Sequence, residues 1–94
     1  MTALRLTAKP WANVTAGRDD AGAGWVDVWC DDHEHRREAV TAAIVAARGR
    51  ARRDHDTRGK SALAVLPRDI AVARTAAART LRTLGYSLRG RAGT

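Results

Sequence analysis

Residues 67–88 read Pro-Arg-Asp-Ile-Ala-Val-Ala-Arg-Thr-Ala-Ala-Ala-Arg-Thr-Leu-Arg-Thr-Leu-Gly-Tyr-Ser-Leu, and no other stretch says as much about the fold. At about 100° per residue, Ile70, Ala73, Ala77, Leu81 and Leu84 fall on one side of a helix. Arg68, Thr75, Arg79 and Arg82 fall on the other. Pro67 suits the first turn, where its missing N–H costs nothing, and Gly85 suits the C-terminal stop. The pattern predicts a docking stripe backed by a cationic stripe. Its apolar positions also roughly match a helix-turn-helix. However, Thr75 stands where that turn needs Gly and Arg74 where it needs an apolar residue, so one continuous helix is expected.

Working outward, residues 61–66 precede the helix and carry Leu63, Val65 and Leu66. They fit a short buried strand better than a helical turn, and such a strand would close a strand–helix–strand unit with a right-handed crossover. Upstream, Asp54 to Gly59 reads as a polar loop. His33 to about Arg53 reads as a helix with Val40, Ala43, Ile44, Ala47 and Ala51 on its apolar side. Gly49 and the crowded Arg48, Arg50, Arg52 and Arg53 are expected to fray its end. Asp31, with Glu34 three residues on, has the form of a capping box.

Trp25 to Cys30 is expected to be a strand, with Val26, Val28 and Cys30 on one face and Trp25, Asp27 and Trp29 on the other. Bulk on both faces predicts a central strand, or one covered on both sides. Residues 3–8 alternate cleanly, with Leu4, Leu6 and Ala8 on one face, and predict a strand that Pro10 ends. Trp11 to Thr15 would continue its extended path, and Gly17 to Gly24 reads as a loop joining an antiparallel hairpin. The expected fold class is α+β, in a single small basic domain over residues 1–94. A small sheet made of an antiparallel hairpin and a third strand packs on two helices, the C-terminal one amphipathic with a basic face. Residues 89–94 are expected to form a basic tail.

The chain has 94 residues and a formal charge of +7, unevenly spread. Residues 1–47 carry 5 basic and 7 acidic side chains, while residues 48–94 carry 12 and 3. Arg outnumbers Lys 15 to 2, which GC-rich coding would also produce, so the segregation of charge is the stronger signal. It points to a polyanion contacted by the second half. The basic set is Arg48, Arg50, Arg52, Arg53, Arg58, Lys60, Arg68, Arg79, Arg82, Arg89 and Arg91. Together these would form the footprint of a nucleic acid, DNA or RNA.

Of the 42 or so apolar residues implied by a 45% share, 20 are Ala and 16 are Val, Ile or Leu, with no Phe. So thin a core predicts area gained from another chain, as a homodimer or with a partner protein. Trp25 and Trp29 are then expected as core filler, with a stacking platform for unpaired bases or a protein interface as the competing roles. The lone Cys30 excludes an internal disulfide and suits a reducing, cytoplasmic compartment. The N-terminus lacks a secretory apolar segment, and no apolar run reaches membrane-spanning length, so no membrane partner is expected.

Catalytic motifs are weak. His33 and His35 point roughly 200° apart on a helix, which argues against a metal site in the Cys30–His35 run. Gly59-Lys60-Ser61 echoes a phosphate loop, but Asp54 stands where that loop requires Gly. No Ser, Cys or His lies in a nucleophile setting. The expectation is a non-enzymatic nucleic-acid-binding accessory or regulatory protein without cofactor, and the alternative is a protein-interaction module that binds an acidic partner.

Overall fold

A computed structural model describes residues 11–53 and 62–88 of the chain. The strand expected at residues 3–8, the basic residues Arg58, Lys60, Arg89 and Arg91, and the 89–94 tail lie outside the described residues. The elements run β1 (Trp11–Arg18), β2 (Gly24–Cys30), α1 (His33–Ala46), β3 (Arg52–Arg53), β4 (Ala62–Val65), a 3-10 turn (Pro67–Asp69), α2 (Ile70–Thr83) and β5 (Ser87–Leu88). They form a mixed five-stranded sheet in the order β3-β4-β2-β1-β5, packed against two helices, so the fold is α+β. No helix among the described residues is long and apolar enough to cross a membrane.

The hairpin joins β1 to β2, with Ala12 opposite Cys30 and Arg18 opposite Gly24. Over the described residues its first strand runs from Trp11 through Gly17 to Arg18, so Gly17 belongs to the strand and not to the expected loop. Asp19 sets where the chain turns. Its carboxylate accepts from the N–H groups of Ala21 and Ala23 at 2.9 Å each, and its backbone N–H donates to the Ala23 carbonyl. This side-chain mimic of a backbone turn confines the loop to residues 19–23.

The strand at 62–65 forms as expected, but it runs antiparallel to β2, with Val26 opposite Leu63. The simple strand–helix–strand unit is therefore corrected. β3 intervenes, antiparallel to β4 and hence parallel to β2, so α1 joins strands that are not neighbours. By the same reasoning α2 joins β4 to β5, which pairs parallel with β1 at the far edge.

Helix α1 differs from expectation at both ends. Its cap is Asp32, one residue beyond Asp31, and the Asp32 carboxylate accepts from the His35 N–H at 3.0 Å. It stops at Ala46 rather than near Arg53. Arg48 (φ 56°) and Gly49 (φ 77°) are both left-handed, and the Gly49 N–H donates to the Ile44 carbonyl while the Arg48 N–H donates to Val45. This double bond pattern closes a helix end, with Arg48 where Gly is usual. Helix α2 ends the same way with Gly85 (φ 101°) in that place, and there the Tyr86 N–H donates to Leu81 and the Gly85 N–H to Arg82.

The core lies on one face of the sheet. Val14, Val26, Val28, Cys30, Leu63 and Val65 meet Ala39, Val40, Ala43 and Ala47 of the α1 segment and Ala73, Ala77 and Leu81 of α2. Alanine on both helices permits close approach of their backbones. Ile70 and Leu84, at the ends of the α2 stripe, are partly buried against this cluster.

Candidate nucleic-acid interface

Strand alternation decides which residues face away from the helices. On β2, the buried Gly24, Val26, Val28 and Cys30 point to the core, which leaves Trp25, Asp27 and Trp29 on the other face. The register adds neighbours to that face. Asn13 pairs with Trp29, Thr15 with Asp27 and Gly17 with Trp25, while Ala62 lies opposite Asp27 and Ala64 opposite Trp25. Arg52 pairs with Ala64, so one row across the sheet reads Arg52, Ala64, Trp25, Gly17.

The tryptophans are therefore not core filler. Trp29 is 44% exposed and Trp11 41% exposed, while Trp25 is half-buried. The physical reason is that the helix-facing positions of β2 are already filled by smaller side chains matched to Ala-rich helices. β2 is the central strand of the five, as the bulk on both its faces predicts, and no described helix lies over its Trp face. Trp11 and Trp29 stack on each other with centroids 4.9 Å apart and planes 26° from parallel. Trp25 lies across Gly17, where an added Cβ would stand 3.2 Å from its ring. Gly17 thus gives the indole a flat seat that a side chain would tilt. Trp11, Trp25 and Asp27 each make further interactions within the chain.

The arginines divide into groups. At the end of the molecule where α1 stops and α2 starts, Arg50 grips Asp69 in a two-point ion pair, with Nε to Oδ2 and Nη2 to Oδ1 both at 3.0 Å. Asp69 is 4% exposed. The Arg50 guanidinium holds its carboxyl below the usual carboxylate range, and the charges of Arg68 and Arg48 lower it further. The reciprocal hydrogen bond raises Arg50. Arg48, Arg50 and Arg68 therefore gather about one carboxylate and leave local positive charge in excess.

Arg52 shares the open face of the sheet with Trp25, whereas Arg53, opposite Leu63, lies on the helix side of the same edge strand. Arg79 and Arg82 are exposed on α2 and belong to the helix layer, on the other side of the sheet from the tryptophans. Within the described residues, Arg37 pairs with Glu34 at 3.6 Å and Arg50 with Asp69, and no other arginine forms an ion pair.

At the opposite end, the Tyr86 hydroxyl and His35 Nδ1 are hydrogen-bonded at 2.8 Å, and the Cys30 thiol donates to the Asp32 carbonyl at 3.4 Å. Burial, and then the Cys30 side chain, push the Tyr86 phenol up to about 12. The His35 N–H holds Asp32 low. This cluster ties the start of α1 to the chain that follows α2. Among the described residues, no three His, Cys, Asp or Glu side chains gather as metal ligands.

No family model, curated protein or solved structure matches the chain. Its function must therefore be argued from its own side chains. Sequence reasoning missed Trp11 as a member of the Trp face. The signal was present, since Trp11, Asn13, Thr15 and Gly17 alternate in phase with Trp29, Asp27 and Trp25 once the strand is taken to start after Pro10.

Proposed function

We propose that this protein is a non-enzymatic nucleic-acid-binding accessory or regulatory protein of the cytoplasm. The observation that carries the reading is the set of unneutralised arginines. Arg52, Arg53, Arg79 and Arg82 have no carboxylate partner among the described residues, and Arg48 and Arg68 share the single Asp69 carboxylate with Arg50, which pairs with it directly. Guanidinium groups left unpaired on a chain of +7 repel one another, and a phosphate backbone relieves that repulsion while releasing counterions. The buried free Cys30 is compatible with a reducing compartment.

Anisotropy titrations with duplex DNA, single-stranded DNA and RNA test the reading, each at about 50 and 200 mM salt. Binding that weakens steeply with salt is expected, and the Arg79→Ala/Arg82→Ala pair should weaken it with little change in melting temperature. Absence of binding at the lower salt to all three would end the proposal.

The exposed Trp11 and Trp29 favour a second reading, a protein-interaction module or a homodimer that buries that face. Light scattering at tens of micromolar separates the two, because a dimer would carry twice the mass of the 10.1 kDa chain.

A further inference from the structure

The cationic surface does not say which form of nucleic acid is bound, but the open sheet face does. We propose that this face, centred on the Trp11–Trp29 stack, holds the unpaired bases of a single strand. The inference rests on the nucleic-acid reading above and assigns its substrate class.

Three observations converge. First, the large apolar side chains exposed on the sheet are aromatic, Trp11 at 41% and Trp29 at 44%, and stacking of bases on aromatic rings does not select among them. Second, the positions around Trp25 are small. Exposed Ala64 on β4 is the one residue between Arg52 and the indole in their row, and its methyl leaves a low step there. A base can lie flat there, whereas the convex rim of a duplex would meet phosphates and not rings. Third, Arg52 is a cation that the described strands place on this face, and it has no carboxylate partner among the described residues. It sits at the end of the Trp25 row, placed for the phosphate of a base stacked on that row.

The spacing along β2 fits more than one base. Trp25 and Trp29 are four residues apart, or about 13 Å at the rise of a strand. They serve separate bases and do not sandwich a single one. Asp27 lies between them and is engaged within the chain. Its carboxylate disfavours a phosphate at the centre of the face, which directs the backbone toward the Arg52 edge and the bases inward. A duplex has its bases paired and stacked already, so it gains nothing from the rings and binds by charge alone.

The test uses the full chain with three end-labelled probes of equal length: oligothymidylate, an abasic strand and a duplex. Anisotropy and intrinsic tryptophan fluorescence are the readouts. The wild type is expected to bind oligothymidylate more tightly than the abasic strand, with quenched fluorescence. Trp29→Ala is expected to lose about 5- to 100-fold for oligothymidylate, the worth of one base–aromatic stack, with abasic affinity unchanged. Arg52→Ala is expected to weaken both strands and reduce the salt slope by about one.

Equal wild-type affinity for oligothymidylate and the abasic strand overturns the platform and leaves the polyanion reading standing. That comparison needs no variant, so a misfolded Trp29→Ala does not blunt it. No binding of any probe overturns both. A two-chain mass that falls to one chain in Trp29→Ala assigns the face to a second copy and also overturns the platform.

Discussion

Toward the helices β2 presents Val26, Val28 and Cys30, and toward the opposite side it presents Trp25, Asp27 and Trp29. The helix side meets alanine from both helices, so its stability comes from many small groups brought close together. The other side carries three of the chain's four aromatic residues at partial exposure. A chain with no Phe and so few large apolar residues would gain most by burying its tryptophans in the core. It places them instead where water reaches them, at a cost of roughly 25 cal/mol for each Å² of apolar surface left wet. The contrast teaches that one face is closed by the fold's own packing while the other leaves large aromatic surface exposed.

The largest expected effect tests that division directly. Leu63 is fully enclosed on the helix side, and Leu63→Ala is expected to cost about 3–5 kcal/mol, through lost transfer energy and the cavity left behind. Trp29→Ala removes a larger side chain yet is expected to cost only about 1–2 kcal/mol, since it forfeits one ring stack and a half-wet surface. Urea midpoints for the two variants measure both. If the Trp29 variant is the less stable, the open face belongs to the core and the contrast collapses.

A second pair makes the same substitution on the two faces. A Cβ at Gly24 would stand 2.7 Å from the Val65 carbonyl oxygen and 3.0 Å from Ile70 Cδ1. Backbone cannot swing aside as a side chain does, so Gly24→Ala is expected to cost about 1–3 kcal/mol in thermal unfolding. At Gly17 the neighbour is the edge of the Trp25 indole at 3.2 Å, a side chain and not backbone. Gly17→Ala is expected to tilt that ring, change its near-UV signal and move stability by less than about 0.5 kcal/mol.

How far this contrast was legible beforehand depended on local pattern strength. Helix α2 was readable because its apolar residues recur at helical spacing between Pro67 and Gly85, and β2 because Val and Trp alternate over six residues. β1 was misplaced. Residues 3–8 alternate more cleanly than Trp11–Arg18, where Asn13 and Gly17 dilute the pattern. The end of α1 was unreadable for a different reason. Its periodicity continues to Ala51, and nothing local says that Arg48 will adopt φ 56°. In the site, Trp25 and Trp29 were identified as a pair from strand spacing, but their face was not, because that depends on which side the helices take. Arg50 and Asp69 are 19 residues apart, and no short-range signal links them.

Alkaline titration distinguishes the two faces by what ionises. Tyr86 lies at the rim of the covered layer with its phenol raised from 10.0 to about 12. Above pH 10 the unfolded chain releases this proton while the folded chain keeps it, so unfolding is favoured as pH rises through that window. Stability is therefore expected to fall between about pH 10 and 12 and to lose that component in Tyr86→Phe. Trp11, Trp29, Asn13 and Thr15 on the open face carry no group that titrates there, so Trp29→Ala should retain the full slope. A slope that vanished with Trp29 would couple the two faces.

Substitution at Arg48 separates the cations of the helix layer from the rings of the open face. Arg48 holds a left-handed φ of 56° at the end of α1, where Gly85 serves in the equivalent place on α2. A side chain with a Cβ pays in strain there, and Arg48→Gly relieves it, partly offset by the greater freedom of glycine in the unfolded chain. A net gain of about 0.5–1 kcal/mol is expected from thermal unfolding. The same substitution removes one of the three guanidinium groups about Asp69. If that group contacts phosphate, affinity should fall alike for oligothymidylate and abasic strands, so their ratio, set by the rings, stays where it was. A variant that is more stable and binds a nucleic acid less well would show that Arg48 is retained for its charge despite its backbone. If affinity is unchanged, the strain at Arg48 has no counterpart in binding, and the phosphate contacts lie with Arg52 and the arginines of α2.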